Sequence, residues 1–227
     1  MFLRKTLFAS LILTILSLTA AVPTYAGVVQ LTSPAQLNPG GITVNYPAAL
    51  GSTPPSPLVI SAGGNILTFD TNGANFGRFV SDGTTYDFAA GTTLLDTLGN
   101  APLTIDFNSG VLELGLRAQG NFPGADTFNF TLFNGAATLG VFSVGPTANG
   151  LASFIGARAT GGDVITRIFI TSTSSSGISN DFSFGPVTFG AAPAPIPEPA
   201  TMTLLGVGLA GVAARIRRRR KASVIEN

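Results

Sequence analysis

Carboxylates are the side chains of this sequence best suited to chemistry, because histidine and cysteine are absent from all 227 residues. That absence excludes Ser-His-Asp and Cys-His catalysis, together with zinc sites built on those ligands. Two neighbouring carboxylates can still hydrolyse a glycosidic bond. Asp106 and Glu113 are the pair to consider, since Glu113 is the one glutamate between residues 27 and 190 and Asp106 is its nearest acidic neighbour.

The spacing of these two acids separates them. If Asn108-Ser109-Gly110 forms a three-residue hairpin loop, Ile105 faces Glu113 and Asp106 points to the opposite face of the sheet. Arg117 can then pair with Glu113 on the same face. The sequence therefore predicts a scattered set of solvated acids and no catalytic residue. A glycosidase-like enzyme remains the third alternative, after the two functions given below.

Oxygen ligands suited to calcium are grouped around a glycine turn in the segment Asp70-Thr71-Asn72-Gly73-Ala74-Asn75. Asp70, Asn72 and Asn75 are the candidate ligands, but the segment lacks the later carboxylates of an EF-hand loop. An ordinary Asx-turn explains the same residues equally well. We expect no cofactor and no metal, with calcium at this turn as the alternative.

The elements that must position these residues are strands. Residues 127–132 alternate apolar and polar side chains, which is the period of a half-buried strand. Asn134-Gly135 follows, and residues 137–141 resume the alternation, so this segment predicts a β-hairpin. We expect Phe128 and Phe130 to face the core and the polar residues between and beside them to face solvent.

The rest of the region between residues 27 and 190 consists of further short strands separated by turns rich in Gly, Asn and Asp. This spacing predicts an all-β fold, an antiparallel β-sandwich of the jelly-roll or lectin-like type. Residues 47–57 carry four prolines and residues 172–176 are all Ser or Thr, so both are expected as loops. The other expected strands cover residues 42–46, 65–69, 84–88, 103–107, 111–117, 152–158, 164–171 and 181–189.

Composition separates this region from the two ends of the chain. Residues 27–190 carry four arginines, no lysine and nine carboxylates, so the region is acidic although the whole chain has a net charge of +1. An acidic domain is a poor partner for nucleic acid. With no cysteine to form disulfides, its stability has to come from apolar burial, for which phenylalanine supplies most of the bulk.

The N-terminal 26 residues have the features of a secretory signal peptide. Arg4 and Lys5 precede an apolar stretch over residues 7–22, and Thr24-Tyr25-Ala26 offers small residues where signal peptidase reads them. Pro23 and this small-residue site disfavour an uncleaved membrane helix. We predict cleavage after Ala26.

The C-terminal segment combines a Pro-Glu-Pro motif, an apolar run and a basic cluster. The apolar run, residues 200–214, would form about 23 Å of helix against a hydrocarbon core of about 30 Å. Basic residues directly after such a run anchor at cytoplasmic headgroups and stop translocation, which favours a short membrane helix over a buried soluble one. The basic cluster consists of Arg215, Arg217, Arg218, Arg219, Arg220 and Lys221.

Together with the signal peptide, this tail resembles the PEP-CTERM signal of exported bacterial proteins. The resemblance covers about residues 196–221. It implies that a membrane enzyme, exosortase, recognises Pro197, Glu198 and Pro199 and removes the tail, which frees the protein or re-anchors it at the surface.

These signals predict a chain with five segments and an exported location. They are a signal peptide at 1–26, a β-sandwich ectodomain at 27–190, an Ala/Pro linker at 191–196, a PEP-CTERM sorting signal at 197–221, and a tail at 222–227. The protein is expected to be tethered at the inner membrane of a bacterium and then to reach the cell surface or the extracellular space. Exosortase and the secretion machinery are the expected partners.

The leading hypothesis for function is a non-enzymatic surface or extracellular-matrix protein. The alternative is a carbohydrate-binding module for extracellular polysaccharide, which the jelly-roll pattern favours. Against this alternative, sugar platforms favour Trp and Tyr, and residues 27–190 contain only Tyr46 and Tyr86 of these two types.

Overall fold

We analysed a computed structural model of the chain, which describes residues 27–99, 101–121, 125–145, 151–175 and 177–191. The predicted signal peptide, the linker after residue 191, the Pro-Glu-Pro motif, the membrane helix at 200–214 and the basic cluster lie outside the described residues. Within them, no helix is long and apolar enough to cross a membrane.

The described residues form thirteen strands and two single-turn 3-10 helices, Pro34–Gln36 and Ala48–Leu50. All strand pairings are antiparallel. The strands are β1 (Gly27–Leu31), β2 (Ile42–Val44), β3 (Leu58–Ala62), β4 (Asn65–Asp70), β5 (Gly77–Val80), β6 (Thr93–Asp96), β7 (Leu103–Gly120), β8 (Asp126–Asn134), β9 (Ala137–Val144), β10 (Ser153–Thr160), β11 (Ile165–Ser174), β12 (Phe182–Phe184) and β13 (Val187–Ala191).

The long strand β7 belongs to both layers of the fold. Its first part, Leu103 to Phe107, lies between β4 and β11, in a layer ordered β3-β4-β7-β11-β8-β9. Its second part, from Val111 onward, lies between β10 on one side and β13 and then β12 on the other. This second layer also contains β1, β2, β5 and β6. The predicted all-β antiparallel sandwich is therefore confirmed.

Phenylalanine joins the two layers. Phe128 of β8 meets Phe182 of β12 edge to face with 5.4 Å between ring centroids, and Phe107 of β7 meets Phe189 of β13 at 5.6 Å. Such pairs add to the stabilisation that comes from removing the rings from water. These rings are fully or almost fully buried, so the core lies between the layers. Phenylalanine supplies much of that core, as the composition predicted.

The hairpin of β8 and β9 is confirmed, with Asn134 opposite Ala137 and Phe130 opposite Phe142. Phe128 and Phe130 are buried, and Asn129 is exposed. Thr131 is half-buried on the outer face. The alternation of apolar and polar residues therefore gave the correct register for β8.

The predicted turn at Asn108-Ser109-Gly110 is wrong, because β7 runs through these residues without reversing. Hydrogen bonds between β4 and β7 hold this segment in the sheet, and two asparagine side chains make them. The Asn65 amide donates to Ser109 O at 2.8 Å and accepts from Ser109 N at 3.3 Å, while Asn108 Oδ1 accepts from Ile66 N at 2.7 Å. The backbone groups of Ser109 are thus satisfied by the Asn65 side chain, and β7 continues with an irregular register instead of reversing.

Two other local predictions need correction. Residues 84–88 form bends and no strand, because Asp82 Oδ1 accepts from the N–H groups of Thr84 and Thr85 at 2.8 and 2.9 Å and curls the chain. Three of the residues expected in a Ser/Thr loop belong to β11, which continues to Ser174 because Ser172 to Ser174 pair with Phe128 to Asp126.

Candidate functional site

Glu113, the residue that a glycosidase would need, is buried and held by hydrogen bonds. Its side chain is 1% exposed, on the outer face of β7, beneath the segment that follows β1. Glu113 Oε1 accepts from Asn38 N at 2.7 Å, and Glu113 Oε2 accepts from Arg158 Nε at 2.7 Å. Both oxygens are therefore occupied by the protein, and a substrate has no access to them.

The covering segment is held by the same ion pair. Arg158 Nη2 donates to Gln36 O, and Gln36 Oε1 accepts from the N–H groups of Thr32 and Ser33 at 2.6 and 3.1 Å. Ser33 caps the short 3-10 turn in a capping-box arrangement. We call residues 32–38 the strap. Glu113 and Arg158 thus fasten the strap to the second layer, and their role is structural.

The expected pairing of Glu113 with Arg117 is wrong, because each acid meets an arginine from another part of the chain. Arg117 Nη2 lies 2.9 Å from Asp87 Oδ2, and Arg167 Nε lies 2.6 Å from Asp106 Oδ1. Asp106 stands on the outer face of the first layer, where it pairs with Arg167, and Glu113 stands on the outer face of the second. The two carboxylates stand apart, although the hairpin from which the sequence separated them is absent and Ile105 is not opposite Glu113.

The candidate calcium turn is closed by its own hydrogen bonds. Asp70 Oδ1 accepts from Ser56 Oγ at 2.7 Å and from Asn72 N at 2.9 Å, while Thr71 Oγ1 donates to Ala74 O. This is the arrangement of an Asx-turn, with Asn72 in the left-handed conformation at φ 55°. Over the described residues, no group of three or more Asp and Glu side chains is placed to hold a metal ion.

A buried polar cluster lies where β7 meets β6 and β12. Asn121 Nδ2 donates to Asp96 Oδ2 at 2.8 Å and to Asp181 Oδ1 at 2.6 Å, and Ser183 Oγ contacts Asp96 Oδ2 at 3.2 Å. Burial raises the pKa of Asp96, and the charge of Asp181 raises it further, while the hydrogen bond from Leu98 N lowers it. The cluster joins three segments and leaves no carboxylate oxygen pair open to a ligand.

An open groove lies beside the strap, where the two layers come together at their edges. It encloses about 720 Å³. Strand β1 pairs with β10 only as far as Gly156, so the start of β10 is left beside the end of β9. Its lining contains both polar and apolar side chains and consists of Gln30, Thr32, Pro34, Arg117, Ser143, Val144, Ala152, Ser153 and Phe154.

The ring of Phe154 rests on a floor of two glycines. Phe154 lies opposite Arg117 in the pairing of β10 with β7, and Gly156 lies opposite Gly115. A Cβ atom at Gly115 would come within 2.7 Å of the Phe154 ring, and one at Gly156 within 2.5 Å. Glycine at both positions therefore leaves the space that the end of the ring occupies, and close approach of this kind is a recognised reason for glycine inside a strand.

Arg117 lines the groove and forms an ion pair with Asp87, which contacts the lining residues Arg117 and Ala152. Arg117 Nη2 donates to Asp87 Oδ2 at 2.9 Å and to Ala152 O at 3.2 Å, and Ala152 N donates to Asp87 Oδ2 at 3.2 Å. The guanidinium also lies 6.0 Å from the centre of the Phe88 ring. Among the described residues only Nη2 of this guanidinium has a hydrogen-bond partner, so Nε and Nη1 remain available.

None of the groove residues was predicted as a site from the sequence. Gly115 and Gly156 are interior glycines of two strands, and this is the one local signal that points to the place. The predicted site residues Ala26, Pro197, Glu198 and Pro199 and the basic cluster lie outside the described residues, so their roles remain predictions.

The C-terminal residues 195–219 match the PEP-CTERM protein-sorting motif. The match includes Pro197, Glu198 and Pro199, the apolar run and the first four arginines of the basic cluster. The chain therefore carries the sorting motif of an exported protein, which confirms the resemblance seen in the sequence. No curated protein matches the chain.

Several solved structures resemble the chain at low identity. CsCBM6-3 from Clostridium stercorarium, in complex with cellobiose, is 15% identical, with 62% of this chain and 94% of that chain covered and a TM-score of 0.31. A mutant of CBM29-2, a family 29 carbohydrate-binding module, complexed with mannohexaose, is 11% identical, with 62% and 92% covered and a TM-score of 0.30. The enzymatically active domain of bacteriophage CBA120 tailspike protein 4 is 11% identical, with 75% and 22% covered and a TM-score of 0.28.

Proposed function

We propose that this chain is an exported, non-enzymatic surface or extracellular-matrix protein whose tail is processed by an exosortase. The sorting motif at residues 195–219 is the observation that carries the proposal. Before processing, the apolar run at 200–214 holds the precursor in the inner membrane with its basic cluster on the cytoplasmic side. After processing, the β-sandwich domain reaches the cell surface or the extracellular space.

The proposal that the protein is not an enzyme is supported by the missing residue types and by the hydrogen bonds and ion pairs of Glu113 and Asp106. Histidine and cysteine are missing from the sequence. Glu113 is buried and bonded at both oxygens, and Asp106 is paired with Arg167 on the other outer face. A pair of carboxylates that flank one glycosidic bond is therefore not available from these two residues.

The test of the sorting proposal is the triple replacement of Pro197, Glu198 and Pro199 by alanine in the producing bacterium. We expect a longer, membrane-retained form on immunoblots of membrane and extracellular fractions. Pro193→Ala, just outside the motif, is the matched control and should be processed normally. Identical processing and location of the triple variant and the wild type would refute the proposal.

The mass of the exported protein tests both ends at once. Cleavage after Ala26 leaves Gly27 as the first residue, and exosortase processing removes the basic cluster. We expect one mass that lacks both segments. A mass that includes the arginines would show that the tail is retained.

Binding of extracellular polysaccharide is the second candidate function, and the groove beside the strap favours it. The groove is large enough for sugar units and combines an aromatic ring with polar side chains. A pull-down of the protein with the polysaccharide of its own host would test this function. Absence of binding at millimolar sugar would remove it and leave the sorting proposal intact.

A further inference from the structure

We infer that the groove between the strap, β9 and β10 is the binding site for a neutral, hydroxyl-rich glycan chain. In this site Phe154 is the stacking platform, and the Arg117–Asp87 pair recognises hydroxyl groups. This inference rests on the second candidate function and assigns it a place and a ligand class.

The first element of the site is a rigid aromatic surface. Phe154 lines the groove and is half-buried, with its ring against the glycines at 115 and 156. A ring packed against backbone loses little conformational freedom when a ligand covers it. The axial C–H groups of a hexose form an apolar face that fits such a ring, and covering both surfaces removes them from water.

The second element is a donor and an acceptor at one end of this platform. Arg117 faces Phe154 across the β7–β10 ladder, and its side chain is 44% exposed. Nε and Nη1 of Arg117 can donate to a sugar oxygen, and the Asp87 carboxylate, 38% exposed, can accept from a neighbouring hydroxyl. Hydrogen bonds that involve a charged partner are the stronger kind, so an ion pair recognises a diol well.

The charge of the domain decides between neutral and acidic glycans. Arg117 is the one charged residue among those that line the groove, and Asp87 already neutralises it. The domain has four arginines against nine carboxylates, so its field repels a polyanion. A uronic-acid polymer would make one favourable contact, with Arg117, but its carboxylates would be repelled by the acidic domain along the length of the polymer. A neutral glycan is not repelled.

The strap gives the site a fixed wall. Thr32 and Pro34 belong to both the strap and the groove lining, and the strap is fastened by Glu113 and Arg158. Gln30 Nε2 donates to Ser143 O at 3.4 Å and connects β1 to β9 at the opposite wall. The groove is therefore formed before a ligand arrives, which is the usual state of small-ligand sites.

The test is isothermal titration of the full-length chain in mild detergent with cellohexaose and maltohexaose as neutral probes and a galacturonate hexamer as the acidic probe. Phe154→Leu removes the aromatic ring and should weaken neutral-glycan binding about five- to tenfold. Arg117→Ala should weaken it about tenfold or more. Gly156→Ala keeps the ring but displaces it, and should reduce affinity as Phe154→Leu does.

Matched controls lie on the outer face of the first layer. Phe133→Leu replaces another half-buried phenylalanine, and Arg167→Ala breaks another exposed ion pair, with its arginine 49% exposed. Both should bind as the wild type does. Urea midpoints measured for every variant identify those that have lost the fold, and if Phe154→Leu is among them, Arg117→Ala decides.

Each result has a defined meaning. Neutral binding that the groove variants weaken and the control variants do not would support the inference. If wild type and groove variants bind equally, the site is wrong while glycan binding stands. A preference for the galacturonate hexamer would overturn the ligand class, and no binding at millimolar sugar would overturn the site and the second candidate function together.

Discussion

Glu113 Oε2 accepts a hydrogen bond from Arg158 Nε at 2.7 Å, and the two residues lie opposite each other in the pairing of β7 with β10. The carboxylate is 1% exposed and the guanidinium side chain 35%. The buried partner is therefore satisfied by an arginine that reaches solvent, and the second carboxylate oxygen is satisfied by the strap at Asn38 N. One acid thus fixes a strand pair and the loop above it.

Replacing Glu113 by glutamine should destabilise the protein. The amide offers one acceptor in place of two, so either Asn38 N or Arg158 Nε loses its partner. We expect a loss of about 1.5–3 kcal/mol in the free energy of unfolding, toward the lower end because Arg158 can turn to water. Urea unfolding measures the loss, and limited proteolysis should show faster cutting within residues 32–38.

Asp106→Asn is the control for this loss. Its ion pair with Arg167 is exposed at both partners, 36% and 49%, and such pairs contribute about 0–1 kcal/mol. Equal losses of unfolding free energy in the two variants would mean that the burial of Glu113 does not increase its contribution to stability. A change in a glycan-hydrolysing activity without a change in stability would instead revive the enzyme alternative.

The two faces of β8 should respond differently to truncation. Phe128 and Phe130 are buried between the layers, and alanine at either position should cost about 3–5 kcal/mol. Alanine at exposed Asn129 should change stability by no more than about 0.5 kcal/mol. Urea melts of the single variants give the values. Similar losses at all positions would show a strand buried on both sides.

Acidification should stabilise the fold through Asp96. Burial raises its pKa above the ordinary 3.8, so between that value and neutral pH the folded state binds more protons than the unfolded state. Stability from this group therefore increases as pH falls and decreases as pH rises through the raised pKa. Asp96→Asn lacks this titration.

The measurement for Asp96 is the difference in unfolding free energy between wild type and Asp96→Asn at several pH values below 7. The difference, taken as wild type minus variant, should grow as pH is lowered. Asp82 is the comparison residue, because backbone N–H groups of Thr85 and Thr84 hold its pKa below the ordinary range. Its removal by Asp82→Asn should have the opposite pH trend. A difference for Asp96 that shrinks on acidification would contradict the assignment.

Tyr46 should matter through its hydroxyl group. Its side chain is 1% exposed, and the hydroxyl donates to Gly185 O at 3.0 Å. Tyr46→Phe should therefore lower the free energy of unfolding by about 1 kcal/mol. Tyr86→Phe, whose hydroxyl is 3.4 Å from Asn121 Oδ1 and half-buried, should lose less. Differential scanning calorimetry of both variants measures the two losses. A larger loss for Tyr86→Phe than for Tyr46→Phe would show that the hydrogen bond to Gly185 is unimportant.

Local alternation was enough to predict much of the fold. The residues on either side of Asn134-Gly135 gave a hairpin, its register and its buried phenylalanines, because strand period and turn chemistry are local properties. The same rules failed at Asn108-Ser109-Gly110. There the deciding hydrogen bonds come from Asn65 and Ile66, which are distant in sequence, so a sequence that favours a turn remains a strand.

The candidate site was beyond sequence reasoning for a related reason. The residues next to Phe154 in the sequence do not predict that its ring lies against Gly115, and those next to Arg117 do not predict its ion pair with Asp87. Each contact joins residues about thirty or more positions apart. The prediction that Glu113 pairs with Arg117 was wrong for the same reason, because its partner, Arg158, is distant in sequence. By contrast, the sorting tail is a contiguous motif, and its identity could be found from the sequence alone.

The pairing of the first strands with the last ones sets when this protein can fold. β1 at residues 27–31 has its only described strand partner in β10, and β2 pairs with β13 at the end of the domain. A nascent chain holding the first hundred residues thus lacks both partners, and contacts so far apart in sequence form slowly. The second layer therefore cannot be completed until β10 and β13 have been synthesised, although the local hairpin of β3 and β4 can form earlier.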